Sequence, residues 1–239
     1  MLGQLLEFAV HAPRTVATLE LYEALGFQSL PVAEIPGAPF AAMWDGRATI
    51  GLHDGEIDGI MPTFARPDLE AHARALRNLG VDFELEELGA DQFNRISFRD
   101  PNGCLITLVE ARTFSPAPRA STRVCAFGTF LEWSVGTSSV EESEAFWASL
   151  GFMRTTATEA PYRSVRLAGY GLDVGFHEVG ARANGLAYSS PSLAARIEYL
   201  AAKHVRVTRN APFAPPGNEA ATVVMPAKTV IYLQEPDAS

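Results

Sequence analysis

The feature that most constrains this chain is that it repeats itself. Glu7 matches Glu132, and Leu25-Gly26-Phe27 matches Leu150-Gly151-Phe152, both at an offset of 125. Gly51 and His53 match Gly175 and His177 at 124, as do Pro67 and Leu69 with Pro191 and Leu193. The offset returns to 125 for Pro101, Ile106, Leu108 and Glu110, which match Pro226, Ile231, Leu233 and Glu235. One register held from end to end marks a tandem duplication. The two copies, residues 1–114 and 123–239, are separated by a Pro-, Ser- and Ala-rich stretch without apolar period, a linker at 115–122.

Each copy carries two helical stripes among short strands. In the first, Val16, Leu19, Tyr22 and Leu25 recur at helical spacing, then Leu69, Ala73, Leu76 and Leu79. Asp68 stands where an N-cap is needed, and Gly80 where a helix stops. The second copy repeats this with Val140, Trp147 and Leu150, then Leu193, Ile197 and Leu200. Strand-like runs such as PFAAMWD, RATIGLH, FNRISFRD and CLITLVE follow the helices. Each copy is therefore expected to run strand, helix, three strands, twice over. That is an α+β fold of tandem βαβββ modules, in which curved mixed sheets carry helices on one face and leave the other free to form a cup.

The string FRDPNGCLITLVE (Phe98 to Glu110), with its Asp-Pro-Asn-Gly turn, resembles the closing hairpin of the vicinal-oxygen-chelate superfamily, which includes glyoxalases, bleomycin-resistance proteins and extradiol dioxygenases. The helix ending LYEALGF and the duplicated module order strengthen the resemblance, which covers nearly the whole chain. The second copy departs from it at MPAK (Met225 to Lys228), where the first has DPNG.

Strand parity says which side chains reach the cups. Leu6, Phe8 and Val10 are expected under the helices, with Glu7, Ala9 and His11 opposite. Likewise Leu131, Trp133 and Val135 should face the helices, with Phe130, Glu132 and Ser134 opposite. Gly51 and His53, Gly175 and His177, Thr107 and Tyr232 should all point into cups. Metal-dependent members of the superfamily look like rings of His and Glu from four strands. Carried onto this chain, the resemblance places Glu7, Gly51, Met61 and Thr107 in one ring and Glu132, Gly175, Gly185 and Tyr232 in the other. Only the glutamates are competent hard-cation ligands, whereas a divalent site needs about three. His53 and His177 lie two residues further on, roughly 7 Å along the strand. The expectation is that no cofactor is bound, with a divalent metal left open, and that each cup keeps a Glu–His pair to orient a ligand. The plainer alternative makes Glu7 and Glu132 solvated strand residues.

Trp44, Phe40, Tyr162 and Tyr170 are candidates for an aromatic wall, Trp44 and Phe40 being equally suited to core packing. His11, His72 and His204 read as surface residues, and the Gly169-Tyr170-Gly171 cluster as a hairpin turn. The ligand-binding set is thus Glu7, Trp44, His53, Thr107, Glu132, His177 and Tyr232, with Glu7 and Glu132 the candidates for any catalytic role.

A net charge of −9 with scattered basic residues argues against nucleic acid. No apolar run approaches the roughly 20 residues of a membrane span. The opening MLGQLLEFAVHAP lacks a basic leader, and Cys104 and Cys125 suit reduced thiols. A cytoplasmic protein with a small-molecule partner, monomeric or homodimeric, is the expectation. Three functions stay open: a metal-independent binding protein of the glyoxalase/bleomycin-resistance type, a lyase or isomerase with a Glu general base, and a metal-dependent dioxygenase.

Overall fold

The computed structural model describes residues 2–32, 38–111, 124–178, 180–209, 213 and 219–236; the linker lies outside them. The first copy runs β1 (Gln4–His11), α1 (Val16–Ala24), β2 (Gln28–Leu30), β3 (Ala41–Trp44), β4 (Thr49–His53), β5 (Ile60–Arg66), α2 (Leu69–Asn78), β6 (Phe83–Glu87), β7 (Arg95–Arg99) and β8 (Leu105–Glu110). The second runs β9 (Thr129–Thr137), α3 (Val140–Ser149), β10 (Met153–Thr158), β11 (Ser164–Gly169), β12 (Leu172–Glu178), β13 (Gly185–Ser189), α4 (Leu193–Ala202), β14 (Val207–Arg209), β15 (Ala220–Val224) and β16 (Val230–Gln234).

Each copy forms one eight-stranded sheet. The orders are β2-β3-β4-β1-β5-β8-β7-β6 and β10-β11-β12-β9-β13-β16-β15-β14. Within a module the first strand lies parallel to the last, as β1 does to β4 and β9 to β12. Modules join through antiparallel central pairs, β1 with β5 and β9 with β13. The expected module order and mixed sheets are those observed.

The core lies on the helix-bearing faces and is continuous between copies. One hydrophobic cluster takes in Phe8, Ile50, Phe64, Phe98 and Leu108 with Phe127, Trp133, Trp147, Phe176 and Leu233. Phe8 meets Phe130 at 5.5 Å between ring centres, and Phe98 meets Phe146 at 6.4 Å. Polar ties cross the same boundary. Tyr188 donates its hydroxyl to Asp45 Oδ2 at 2.7 Å, and Trp147 Nε1 donates to Asp100 Oδ2 at 3.2 Å. The two sequence units are therefore not two independent cores.

Three sequence expectations need correcting. First, β1 and β9 each carry a bulge, at Leu6 and Leu131, where the ladder passes from Leu5 to Glu7 and from Phe130 to Glu132. A bulge inserts one residue and reverses the parity on its N-terminal side. Leu5 and Phe130 consequently join the core, and Leu131 packs on the opposite face beside Ala187, Tyr232 and Phe213. Residues after the bulge keep the expected faces. Second, Val16 and Leu79 are exposed at 71% and 53%. Val16 is the first residue of α1, directly after its cap Thr15, and Leu79 is the C-cap of α2, so both lie at helix ends. Asp68 holds the N-cap position of α2, but in a left-handed conformation and without a side-chain cap bond. Third, His72 is buried with Leu69, Ala73 and Leu76 on the inner face of α2, one residue off the apolar stripe that contains them.

The turns behave as their residues dictate. Tyr170 and Gly171 both have positive φ, the signature of a tight two-residue hairpin, here linking β11 and β12. At the β7–β8 hairpin, Asp100 Oδ1 accepts the backbone N–H groups of Asn102 and Cys104, both at 2.9 Å. Gly103 there has φ 79; its counterpart Lys228 has φ 69 and is the last residue of a short 3₁₀ turn over Pro226–Lys228.

Candidate functional site

In the second copy the cup face of β9 presents Glu132 and Ser134, and that of β12 presents Gly175 and His177. Alternation places Arg166 of β11 beside them, where it pairs directly with Gly175. Glu132 is 1% exposed and His177 6%. His177 Nε2 donates to Glu132 Oε1 at 2.7 Å, and Ser134 Oγ donates to the same oxygen at 2.9 Å. Arg166 Nε donates to Oε2 at 2.6 Å, and Arg182 Nη1 reaches Oε1 at 3.3 Å. Both carboxylate oxygens are engaged. The alternative of a solvated strand glutamate does not hold for either copy, since Glu7 is 6% exposed.

Gly175 makes this arrangement possible. A Cβ there would lie 2.4 Å from the Glu132 carboxyl carbon and from Oε1. Gly51 does the same in the first copy, where a Cβ would fall 2.0 Å from Glu7 Oε2. Each glycine is a cradle over which the neighbouring glutamate folds. Gly185 plays a related part, because a Cβ would lie 2.5 Å from the Tyr232 ring.

Burial by itself would push the Glu132 pKa up, but the His177 imidazole and the Arg166 and Arg182 guanidiniums outweigh it and hold the carboxyl well below its ordinary range. Burial pushes His177 down from its ordinary value, and the two arginines reinforce that against the pull of Glu132. The state this favours is an ionised Glu132 beside a neutral imidazole with its proton on Nε2. His177 Nδ1 is then a lone-pair acceptor, buried and without a hydrogen-bond partner among the described residues.

A cavity of about 310 Å³ opens above this floor. Tyr162, Pro161, Val165 and Phe213 contribute to its lining together with the half-buried Glu219, Gln234 and Glu235, and its exposed part is the 156–161 segment. The Tyr162 ring meets the His177 ring edge-on at 5.7 Å. Arg182 also donates to Ser134 Oγ at 2.9 Å and to Gln234, and its guanidinium lies 4.4 Å from the Phe213 ring centre and 5.1 Å from that of Tyr232.

The sequence-predicted residues separate into two groups. Glu132 and His177 line the cavity. Tyr232 does not; its hydroxyl accepts Ala183 N–H at 2.7 Å and so fixes the loop that carries Arg182. In the first cup, His53 Nε2 lies 2.9 Å from Glu7 Oε1. Thr107 Oγ1 lies 2.8 Å from Ser97 Oγ and donates to Met61 Sδ at 3.2 Å. Trp44 is buried on the cup side of β3, outside the main core cluster. In the place of Arg166 the first sheet has Ala42, paired with Gly51. Phe40 is packed against the core and Tyr170 against Phe152. Sequence reading missed Arg166 and Arg182. Strand alternation in SVRLAG would have found Arg166, whereas Arg182 sits in a loop with no periodic signal.

Among the described residues, no three His, Cys, Asp or Glu side chains converge as a metal-ligand cluster. Burial pushes the Cys125 thiol up to about 12 and raises Cys104 as well, so neither is an activated nucleophile. No described helix is long and apolar enough to cross a membrane.

No sequence-family description matches the chain, and no curated protein sequence is similar to it. Its fold is nonetheless shared with solved extradiol dioxygenases. A catechol 2,3-dioxygenase superposes with TM-score 0.57 at 17% identity, covering 98% of this chain and 87% of that one. A variant of homoprotocatechuate 2,3-dioxygenase from Brevibacterium fuscum gives 0.66 at 13%, covering 99% and 72%. The 2,3-dioxygenase LapB from Pseudomonas sp. KL28 gives 0.63 at 14%, covering 99% and 94%. The chain thus shares its tandem fold with these solved structures.

Proposed function

We propose that this chain is a metal-independent small-molecule binding protein whose ligand occupies the second cup. The observation that carries the reading is the walled cavity over Glu132 and His177, whose volume lies at the small end of the roughly 300 to 1,000 Å³ typical of ligand pockets. Aromatic and apolar sides with a few converging polar groups are what such pockets require.

The chemistry of the donors speaks against a resident divalent cation. Gly175, Gly185 and Tyr232 complete the ring begun by Glu132, and Gly51, Met61 and Thr107 that begun by Glu7; the glycines and Met61 supply no hard donor. The Glu132 carboxylate is already neutralised by two guanidiniums, which would repel a cation at that spot. The residues present do not fit a metal, so the dioxygenase chemistry of the structural neighbours has no support here. A general-base lyase is disfavoured for another reason. A base works best with a pKa near the operating pH, whereas Glu132 is held well below its ordinary range with both oxygens occupied.

Thermal-shift screening of the chelator-free protein against planar aromatic compounds, together with elemental analysis, tests this. A ligand at 100 times its Kd stabilises by about 2.7 kcal/mol, which for this chain length raises Tm by roughly 5–10 °C. Stoichiometric iron, manganese, nickel or zinc in the purified protein, with turnover lost on its removal, would overturn the proposal.

A further inference from the structure

One guanidinium of the second cup is held as a bound cation would be. Arg182 comes from the loop between β12 and β13, yet its side chain is buried and meets oxygens from two strands. Its Nη1 donates to Glu132 Oε1 at 3.3 Å and to Ser134 Oγ at 2.9 Å, both on β9, and its Nη2 donates to Gln234 Oε1 on β16. The rings of Phe213 and Tyr232 lie against the same guanidinium. The loop itself is pinned at three consecutive residues. Gly136 lets the Arg182 carbonyl approach β9, since a Cβ there would lie 2.3 Å from that oxygen. The Tyr232 hydroxyl accepts Ala183 N–H at 2.7 Å, and Asn184 Oδ1 accepts Trp133 Nε1 at 2.6 Å.

The first copy shows which of these parts belong together. Counted from His53 and His177, the same number of residues leads to Met61 and Gly185, so Asp58 stands where Arg182 does. Strand pairing likewise equates Ser134 with Ala9, Gln234 with Val109 and Gly136 with His11. The cation, two of its three oxygens and the glycine that admits its backbone are thus missing as a set, and Asp58 is exposed. Only the glutamate is common to both copies. A hydroxyl and an amide oxygen added beside the carboxylate, in the one copy that has the arginine, match a rigid fork of N–H donors.

We infer that Glu132, Ser134 and Gln234 form a receptor for a planar cation, that Arg182 is its resident occupant, and that a guanidinium or amidinium compound takes the site when the arginine side chain is removed. The inference rests on the metal-independent reading of the second cup and says which group supplies the positive charge there. Arg182 is on this view a positioning residue: it fixes the Glu132 carboxylate, which in turn accepts the His177 proton. A tethered cation needs no free ion to be captured, so the floor is complete as soon as the chain folds.

Chemical rescue of Arg182→Ala in the full chain provides the test, with N-ethylguanidinium as the guest, N-ethylurea as its uncharged counterpart of the same shape and ethylammonium as a cation without the fork. At roughly ten times its Kd the guanidinium should raise Tm by about 3–6 °C, saturably, while the other two raise it by less than a third as much. The gain should be absent in the unsubstituted protein, where the site is filled, and in Arg182→Ala combined with Glu132→Gln. Equal rescue by the urea would show that Arg182 only fills volume, and equal rescue by ethylammonium would show that the fork is irrelevant; either result overturns the assignment, as does no rescue at all. In case Arg182→Ala fails to fold, NMR of the unsubstituted protein decides. A guanidinium held by three oxygens cannot rotate freely, so Arg182 should give separate Nη1 and Nη2 resonances, and one averaged signal would refute the receptor. Stoichiometric metal in the unsubstituted protein would instead overturn the metal-free reading beneath it, whereas failed rescue in metal-free protein leaves that reading intact.

Discussion

Gly175→Ala is the most informative single change in this protein. Outside a special environment, replacing a strand glycine by alanine stabilises by about 0.5–1 kcal/mol through backbone entropy. Here the new Cβ would lie 2.4 Å from the Glu132 carboxyl carbon. The carboxylate must move, and moving it disturbs bonds from His177, Ser134, Arg166 and Arg182. Breaking a buried ion pair costs about 3–5 kcal/mol. After allowing for the entropy gain, a net loss of about 2–4 kcal/mol is expected, moving a urea midpoint by roughly 1 M at an m-value near 3 kcal/mol/M. The matched change Gly51→Ala collides with Glu7, whose carboxylate is bonded to His53 alone among the described side chains. A hydrogen bond to a charged group is worth roughly 1.5–3 kcal/mol, so after the backbone gain that loss should be smaller, about 1–2 kcal/mol. A double-mutant cycle isolates the cause. In a Glu132→Ala background the carboxylate is gone, and Gly175→Ala should cost nothing or stabilise slightly. An equal penalty in both backgrounds would show that the glycine serves the backbone, and the cradle argument would fail.

Other expectations follow from the same geometry. Burial pushes His72 down to about 4, with Arg66 adding to the effect. A depressed histidine stabilises the fold fully above its unfolded pKa near 6.5, and that stability is lost as pH falls toward 4. Acid unfolding should thus show a loss of the order of 2 kcal/mol over that window, absent in His72→Leu, and an NMR titration with a midpoint near 6.5 would refute it. Lys228→Gly should raise stability by about 0.5–1 kcal/mol by relieving a left-handed residue, measured as a Tm increase. Because one core spans both copies, calorimetry should record a single cooperative transition, and two separated peaks would contradict the shared cluster.

The sequence disclosed much of this architecture because duplication lets each copy check the other. Ile50, Leu52, Val174 and Phe176 fall on the helix side and Gly51, His53, Gly175 and His177 on the cup side, as alternation requires. What escaped has physical causes. The bulges at Leu6 and Leu131 add a residue without leaving a turn signal, so plain alternation assigns Leu6 and Leu131 to the helix face and Phe130 to the cup, whereas Phe130 lies in the core and Leu131 packs opposite it. His72 lies one residue off the apolar stripe of α2 and so reads as a surface residue, although its position on the helix puts it inward. Arg182 reaches Glu132 from a loop, and tertiary placement of loops is not written in any period.

The fused core has an evolutionary corollary. When two identical chains pair symmetrically, every substitution appears twice, and a gain in one concavity is imposed on its mate. Covalent tandem fusion removes that constraint: the halves stay locked at fixed stoichiometry by aromatic contacts such as Phe8 with Phe130, yet each hollow can drift separately. Arginine at 166 opposite alanine at 42 is one record of such drift, a specialisation that a homodimer of single units could not encode.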